Sequence, residues 1–133
     1  MIELINVKKK FKDEDKFITN GVSFFVPNGK SLCIIGLSGE GKSVLLKQIA
    51  GLIKPTSGSI LIDEVDITLI LEEDIEKIYE KCGYVFQFAA LLDSLTVFEN
   101  IALPLLQKEI SKNQIKKIVL DSMNSVNLNE DIC

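Results

Sequence analysis

Gly36-Leu37-Ser38-Gly39-Glu40-Gly41-Lys42-Ser43 fits the G-x-x-x-x-G-K-[ST] template of a phosphate-binding P-loop. Its flanks supply the context that the template demands. Ser31-Leu32-Cys33-Ile34-Ile35 is a short apolar run of strand character and Val44 to Leu52 reads as a helix, so the motif sits at a strand-to-helix turn. A polyphosphate needs close approach of the backbone, which Gly36, Gly39 and Gly41 permit because they lack a Cβ. Successive N–H groups then converge on its oxygens, and the N-terminus of the following helix favours an anion. In such a loop Lys42 reaches the β- and γ-phosphates and the Ser43 hydroxyl ligates Mg²⁺. The competing reading is a Gly/Ser-rich connector that binds nothing. The joint presence of strand, full motif and helix weighs against it.

Composition bounds the rest. At 133 residues the chain has the size of one domain, and 47% hydrophobic with 26% charged residues marks it as globular rather than disordered. A formal charge of −4 leaves no basic footprint, so no nucleic-acid role is expected. No apolar stretch approaches the ~20 residues of a membrane span, and Met1-Ile2-Glu3 opens into strand-like sequence rather than a signal region. A soluble, cytosolic chain is therefore expected. Cys33, Cys82 and Cys133 show no close metal-ligand spacing, their odd number argues against a disulfide framework, and Cys33 reads as a core residue. Histidine is absent, which excludes a histidine base, switch or ligand within these residues.

In chain order, Ile2 to Val7 reads as a first strand and Val22 to Val26 as a second, joined through a polar stretch whose aromatic is Phe11. Pro27-Asn28-Gly29-Lys30 is a turn, and the helix behind the P-loop ends near Gly51. Ser59 to Ile62 is the next strand and runs into Asp63-Glu64. Two readings stand there. ILIDE has the pattern of a Walker B strand whose acids hold the Mg²⁺ shell and polarise water. Val65-Asp66-Ile67, however, reads as the return strand of a hairpin with Asp63-Glu64 at its tip, which the tight connection favours. Glu72 to Lys81 is a predicted helix capped by Gly83, and Tyr84-Val85-Phe86 a short strand delivering Gln87 to its C-terminal end. Capping boxes at Thr96 to Glu99 and Ser111 to Gln114 open two further helices. Pro104 limits the first, and Ile115, Ile118, Val119, Met123 and Val126 share one face of the second.

From Glu3 to Leu128 the chain resembles the nucleotide-binding subunit of ABC transporters. IELINVKKKF is similar to the opening strand and aromatic loop, GVSFFVPNGKSLCIIGLSGEGKSVLLKQIAGL to the Walker A region, PTSGSILIDEVDI to the following hairpin, and YVFQ to the Q-loop. The resemblance implies an α/β P-loop NTPase fold of the ABC type, with an antiparallel β-subdomain, the P-loop strand and helix, and the beginning of a helical subdomain. It implies ATP with Mg²⁺ as cofactors. Phe11 would stack on adenine, with Ile18 on the same side. Gly36, Ser38, Gly39, Glu40, Gly41, Lys42, Ser43 and Val44 would surround the phosphates. Ser43 and Gln87 would meet the Mg²⁺, and Lys42 and Gln87 would act in catalysis, Gln87 sensing the γ-phosphate. By the same alignment Asp63-Glu64 falls in the hairpin.

The stretch FQFAALLDSLTVFENIALPL is similar to Mla-type and Mce-associated ATPases, which move phospholipid between the inner and outer membranes of bacteria. That implies a subunit on the cytoplasmic face of the inner membrane, working as a homodimer, with Phe88, Ala89, Ala90, Leu91 and Leu92 docking on a transmembrane permease. Residues 1–30 and 59–67 would form the antiparallel portion, 31–52 the Walker A strand-loop-helix, 84–92 the Q-loop and 93–133 the start of the helical subdomain. The family also needs an LSGGQ-like signature, a Walker B strand ending in Asp-Glu and a switch histidine, which do not occur in these residues. The expectation is the N-terminal part of one nucleotide-binding domain, able to bind ATP but not to hydrolyse it alone. Other expectations compatible with the motifs are an ABC ATPase for lipoprotein release or amino-acid import, and a small P-loop kinase or nucleotide-binding regulator using Asp63-Glu64.

Overall fold

The computed structural model describes residues 1–12, 14–71, 74, 76–79, 81–88 and 90–128. The chain forms two compact units, Met1–Val85 and Phe86–Cys133.

The first unit is built on a four-stranded antiparallel sheet. Strands β1 (Ile2–Lys9) and β2 (Thr19–Val26) pair first, then β3 (Ser57–Ile62) adds to the other side of β1 and β4 (Val65–Asp66) to β3, giving the order β2-β1-β3-β4. Alternation sets the faces in β3, and in β1 an irregularity at Asn6 brings Val7 to the same side as Leu4. Leu4 and Val7 of β1 and Ile60 and Ile62 of β3 turn inward, where Leu45 of helix α1 (Lys42–Ile49), Ile67 and Ile78 complete a buried cluster. Each such side chain contributes roughly 1.5–3 kcal/mol when fully buried. Val22 and Phe24 of β2 pack against it from the edge, while Phe25 faces out.

β1 is irregular around Asn6, whose φ is 49°, and its pairing with both neighbours shifts register there. Gly58 lies opposite with φ 90°, and a Cβ at that position would stand 2.4 Å from the Asn6 carbonyl oxygen. The backbones touch where a side chain would be.

The β3–β4 connection decides between the two readings of Asp63-Glu64. Both residues have positive φ, 48° and 70°, and Leu61 pairs with Asp66 and Ile62 with Val65. This is a two-residue hairpin of the twist-compatible kind, so the Walker B reading is set aside. The Met1 ammonium donates to the Asp63 carboxylate, and through that bond and its charge it holds the Asp63 carboxyl below the ordinary range.

Three expected elements differ. Ser31–Ile35 joins no ladder, and Tyr84–Phe86 likewise forms no strand; Ile35 is 89% and Val85 95% exposed. Apolar composition favours an extended chain, but a strand is completed only by laddering to a neighbour, and neither run enters the sheet. For the same reason Cys33 is exposed rather than in the core. The helix expected over 72–81 is described as α2 (Glu76–Tyr79), with Glu72, Glu73, Ile75 and Glu80 outside the described residues. It closes through Lys81 and Cys82 N–H groups donating to the Ile78 and Tyr79 carbonyls, and Gly83 does not take the left-handed conformation of a cap.

In the second unit, both expected capping boxes are present. Thr96 caps α3 (Val97–Ala102), its hydroxyl accepting from the Glu99 N–H while the Glu99 carboxylate accepts from the Thr96 N–H at 2.8 Å. Pro104 then tightens the chain into a single 3-10 turn, Leu103–Leu105. Ser111 and Gln114 cap α4 (Lys112–Ser125) in the same way. Of the expected apolar stripe, Ile115, Val119 and Met123 are buried against Ala102, whereas Ile118 and Val126 are exposed. At about 100° per residue Ile118 falls on the rim of the stripe, and Val126 lies beyond the last helical residue.

Two outcomes test this description. Gly58→Ala is expected to lower stability by about 2 kcal/mol or more, from left-handed strain plus the collision with Asn6, seen as a lower urea midpoint. The Glu99 carboxyl is held below its ordinary value by hydrogen bonds from Thr96. Its contribution is therefore complete above the ordinary glutamate range and disappears as pH falls through the lowered value. Hydrogen exchange at the start of α3 should accelerate over that acid window, and Glu99→Gln, which can still accept, should abolish the pH dependence.

Candidate functional site

The P-loop folds as a turn closed on itself. The Glu40 N–H donates to the Leu37 carbonyl at 3.4 Å, and the Glu40 carboxylate accepts from the Leu37 N–H at 2.9 Å. Glu40 thus spends its acid on the loop, leaving its backbone as the part able to face a ligand. Gly39 and Gly41 have φ of 86° and 83°, and nothing lies within 4 Å of where a Gly39 Cβ would be. The loop is open there.

Gly41 stands at the N-terminus of α1 and offers no side-chain cap. The first N–H groups of a helix have no acceptor within it. At α3 and α4 a capping box answers that need; at α1 the N–H groups of Lys42, Ser43 and Val44 are left for a ligand. The Lys42 ammonium donates to the carbonyls of Gly36, at 2.8 Å, and Leu37. It holds a positive charge across the loop by bonds that phosphate oxygens can replace. Ser43 is exposed in the first helical turn and Val44 is half-buried. An open glycine turn, an uncapped helix and a folded-back ammonium together suit a triphosphate, and the Ser43 hydroxyl suits its Mg²⁺. Among the described residues no group of three or more His, Cys, Asp or Glu could hold a metal by itself. A cation here would rely on Ser43 and on the phosphates.

Ile18 meets this loop directly. A Cβ on Gly41 would fall 2.7 Å from Ile18 Cγ2 and 2.8 Å from the Ile18 carbonyl oxygen. The Ile18 N–H donates to the Lys9 carbonyl at 2.8 Å, closing the base of the connection that carries Phe11. Phe11 is partly exposed, with the Lys9 ammonium 5.1 Å from its ring centroid. Ile18 therefore joins the P-loop to the base of the connection that carries Phe11. Behind it, Thr19 and Gln48 form a buried hydrogen bond. The sequence reading passed over that pair, although Gln48 interrupts the apolar stripe of Leu45, Ile49 and Leu52 and so is marked as a polar residue on an inward face.

Gln87 belongs to the second unit, where it is exposed in an irregular segment. Beyond it Phe88, Ala90, Leu91 and Leu92 are exposed, and Ala89 lies outside the described residues. Leu92, at the end of this run, is held by Asn100 of α3. Its amide accepts from the Leu92 N–H at 2.8 Å and donates to the Leu92, Leu95 and Thr96 carbonyls at 3.0–3.1 Å. Between α3 and α4 an apolar groove of about 500 Å³ is lined by Leu95, Phe98, Ala102, Leu106 and Ile115. Among the described residues no helix is long and apolar enough to cross a membrane.

Known proteins give this arrangement its context. The methionine import ATP-binding protein MetN of Histophilus somni is 41% identical over 130 residues, 96% of this chain and 38% of that protein. MetN of Carboxydothermus hydrogenoformans is 42% identical over 121 residues, 91% of this chain and 34% of that protein. The chain thus spans well under half the length of these curated relatives. Among solved structures, the ATP-binding cassette MJ0796, determined as a dimer bound to ADP and Pi, superposes with a TM-score of 0.88 at 32% identity, covering 99% of this chain and 60% of that one. The protein cbiO1 from Clostridium perfringens, part of the ABC transporter complex cbiONQ, shares the fold, with a TM-score of 0.80 at 24% identity, covering 98% of this chain and 51% of that one. A family model described as ABC transporter matches residues 19–133. With the P-loop geometry above, that match shows that the chain belongs to the ABC transporter family and has the fold of its ATP-binding domain.

Proposed function

We propose that this chain is the N-terminal part of the ATP-binding subunit of a bacterial amino-acid importer. The observation that carries the cargo is the identity of about two residues in five with methionine import proteins over nearly the whole chain. The phospholipid reading rested on the short stretch after Gln87, and the matched relatives support amino-acid import instead. The P-loop kinase reading loses its acids, because Asp63-Glu64 forms a hairpin tip.

In this reading ATP lies with its triphosphate on the α1 N-terminus, Lys42 exchanging its loop carbonyls for β- and γ-phosphate oxygens and Ser43 meeting Mg²⁺. Adenine stacks on Phe11 beside Ile18, and Gln87 closes on the Mg²⁺ and γ-phosphate. The exposed segment Phe88 to Leu92 docks on a transmembrane permease at the cytoplasmic face of the inner membrane, and two complete subunits pair around ATP. The 133 residues contain neither an LSGGQ-like signature nor a histidine. They bind Mg-ATP but supply no group to polarise the attacking water.

Calorimetric titration of the 133-residue chain is expected to show Mg-ATP binding that Lys42→Ala weakens about tenfold or more, as loss of charge-assisted hydrogen bonds requires. Phosphate release should stay at background. Turnover present in the wild type and lost in Lys42→Ala would overturn the inactive-alone reading. For the cargo, vesicles holding the complete protein with its co-purified permease should take up methionine when given ATP. Lipid transfer without methionine uptake would return the phospholipid assignment.

A further inference from the structure

In the first unit two polar side chains lie where the core is otherwise apolar. Thr19 is 4% and Gln48 1% exposed, and the Thr19 hydroxyl donates to Gln48 Oε1 at 3.3 Å. Gln48 Nε2 finds no acceptor among the described residues, and the small cavity beside it, about 10 Å³, is lined by Ile53, Pro55, Ile60 and Ile67 together with Gly51, Lys54 and Thr68. A buried amide with an unpaired donor is a poorer core residue than leucine. Packing is not the reason for an amide here.

What the bond joins is informative. Thr19 opens β2 and directly follows Ile18, whose N–H closes the Phe11 loop on Lys9 and whose side chain and carbonyl rest on Gly41. Gln48 belongs to α1, which begins with Lys42 and Ser43. The Ile18–Gly41 contact resists close approach but is non-directional and permits sliding. A hydrogen bond between the next residue and the same helix fixes the direction.

We propose that the Thr19–Gln48 bond is a positioning device that sets the Phe11 loop against the P-loop helix, so that the base and the triphosphate of one nucleotide are engaged together. This rests on the ATP-binding reading above. Neither residue touches the ligand; both act through Ile18 and α1. The consequence is selective: phosphate affinity resides in the P-loop and survives loss of the bond, whereas the additional affinity from the base depends on it.

The test compares Mg-ATP with Mg-tripolyphosphate, which has no base, on the 133-residue chain and on Gln48→Leu, Thr19→Val and Thr19→Ser. Gln48→Leu removes the orphaned donor while keeping an apolar fill, and Thr19→Val keeps the β-branched shape, so a folded variant is at hand. In the wild type ATP should bind more tightly than tripolyphosphate, by about fivefold or more as base stacking provides. In Gln48→Leu and Thr19→Val that advantage should largely vanish while tripolyphosphate affinity stays within about twofold. Thr19→Ser, which keeps the hydroxyl, should retain the advantage. Equal weakening of both ligands, the mark of a merely structural defect, would overturn the inference, as would an advantage left intact in both variants. If wild-type ATP binds no better than tripolyphosphate, the adenine-stacking reading fails first and the inference with it.

Discussion

The space that a Gly41 side chain would need is filled by Ile18, and much of the first unit depends on that contact. It forces glycine at the turn into α1, and the left-handed turn leaves α1 with no side-chain cap. An uncapped helix keeps its first N–H groups available, and the Lys42 ammonium across the loop adds charge at the same point. Ile18 in turn is held from behind. It immediately precedes β2, β2 is laddered to β1, and β1 to β3, whose Gly58 lets the two backbones touch at Asn6. The anion-binding geometry is thus an outcome of sheet register as well as of a local motif.

What could be read from sequence follows from the range of the forces involved. The glycine turn into α1, both capping boxes, the Pro104 stop and the Asp63-Glu64 hairpin are set by residues within a few positions of one another, and each has its expected form. Ser31–Ile35 and Tyr84–Phe86 have strand composition, yet a strand is completed only by another segment, and neither run joins the sheet. The helical stripe of α4 was legible in its centre, at Ile115, Val119 and Met123, but not at its rim, where Ile118 is exposed. Cargo was the least legible property. A stretch of twenty residues around Phe88 suggested phospholipid, while relatives matched across nine-tenths or more of the chain are methionine importers.

The site divides along the same line. Lys42 and Ser43 follow from the motif, and their setting is visible in the loop. Thr19 and Gln48 were invisible because neither belongs to a motif; only the fold brings a residue at the start of β2 against one in the last turn of α1. A buried polar pair is a tertiary fact, signalled in sequence only by a polar residue on an apolar stripe.

The segment after Gln87 shows a different balance of forces. Phe88, Leu91 and Leu92 are 79%, 64% and 48% exposed, so burial does not hold them. At Leu92 the Asn100 amide does: it meets both the N–H and the carbonyl of that residue, as a neighbouring strand would, and adds the Leu95 and Thr96 carbonyls. One side chain, its oxygen accepting from the Leu92 N–H and its two N–H groups shared among three carbonyls, satisfies an irregular backbone without covering it. Shape and apolar surface are thereby supplied by different residues. A backbone fixed by hydrogen bonds can leave apolar side chains at the surface without collapsing around them.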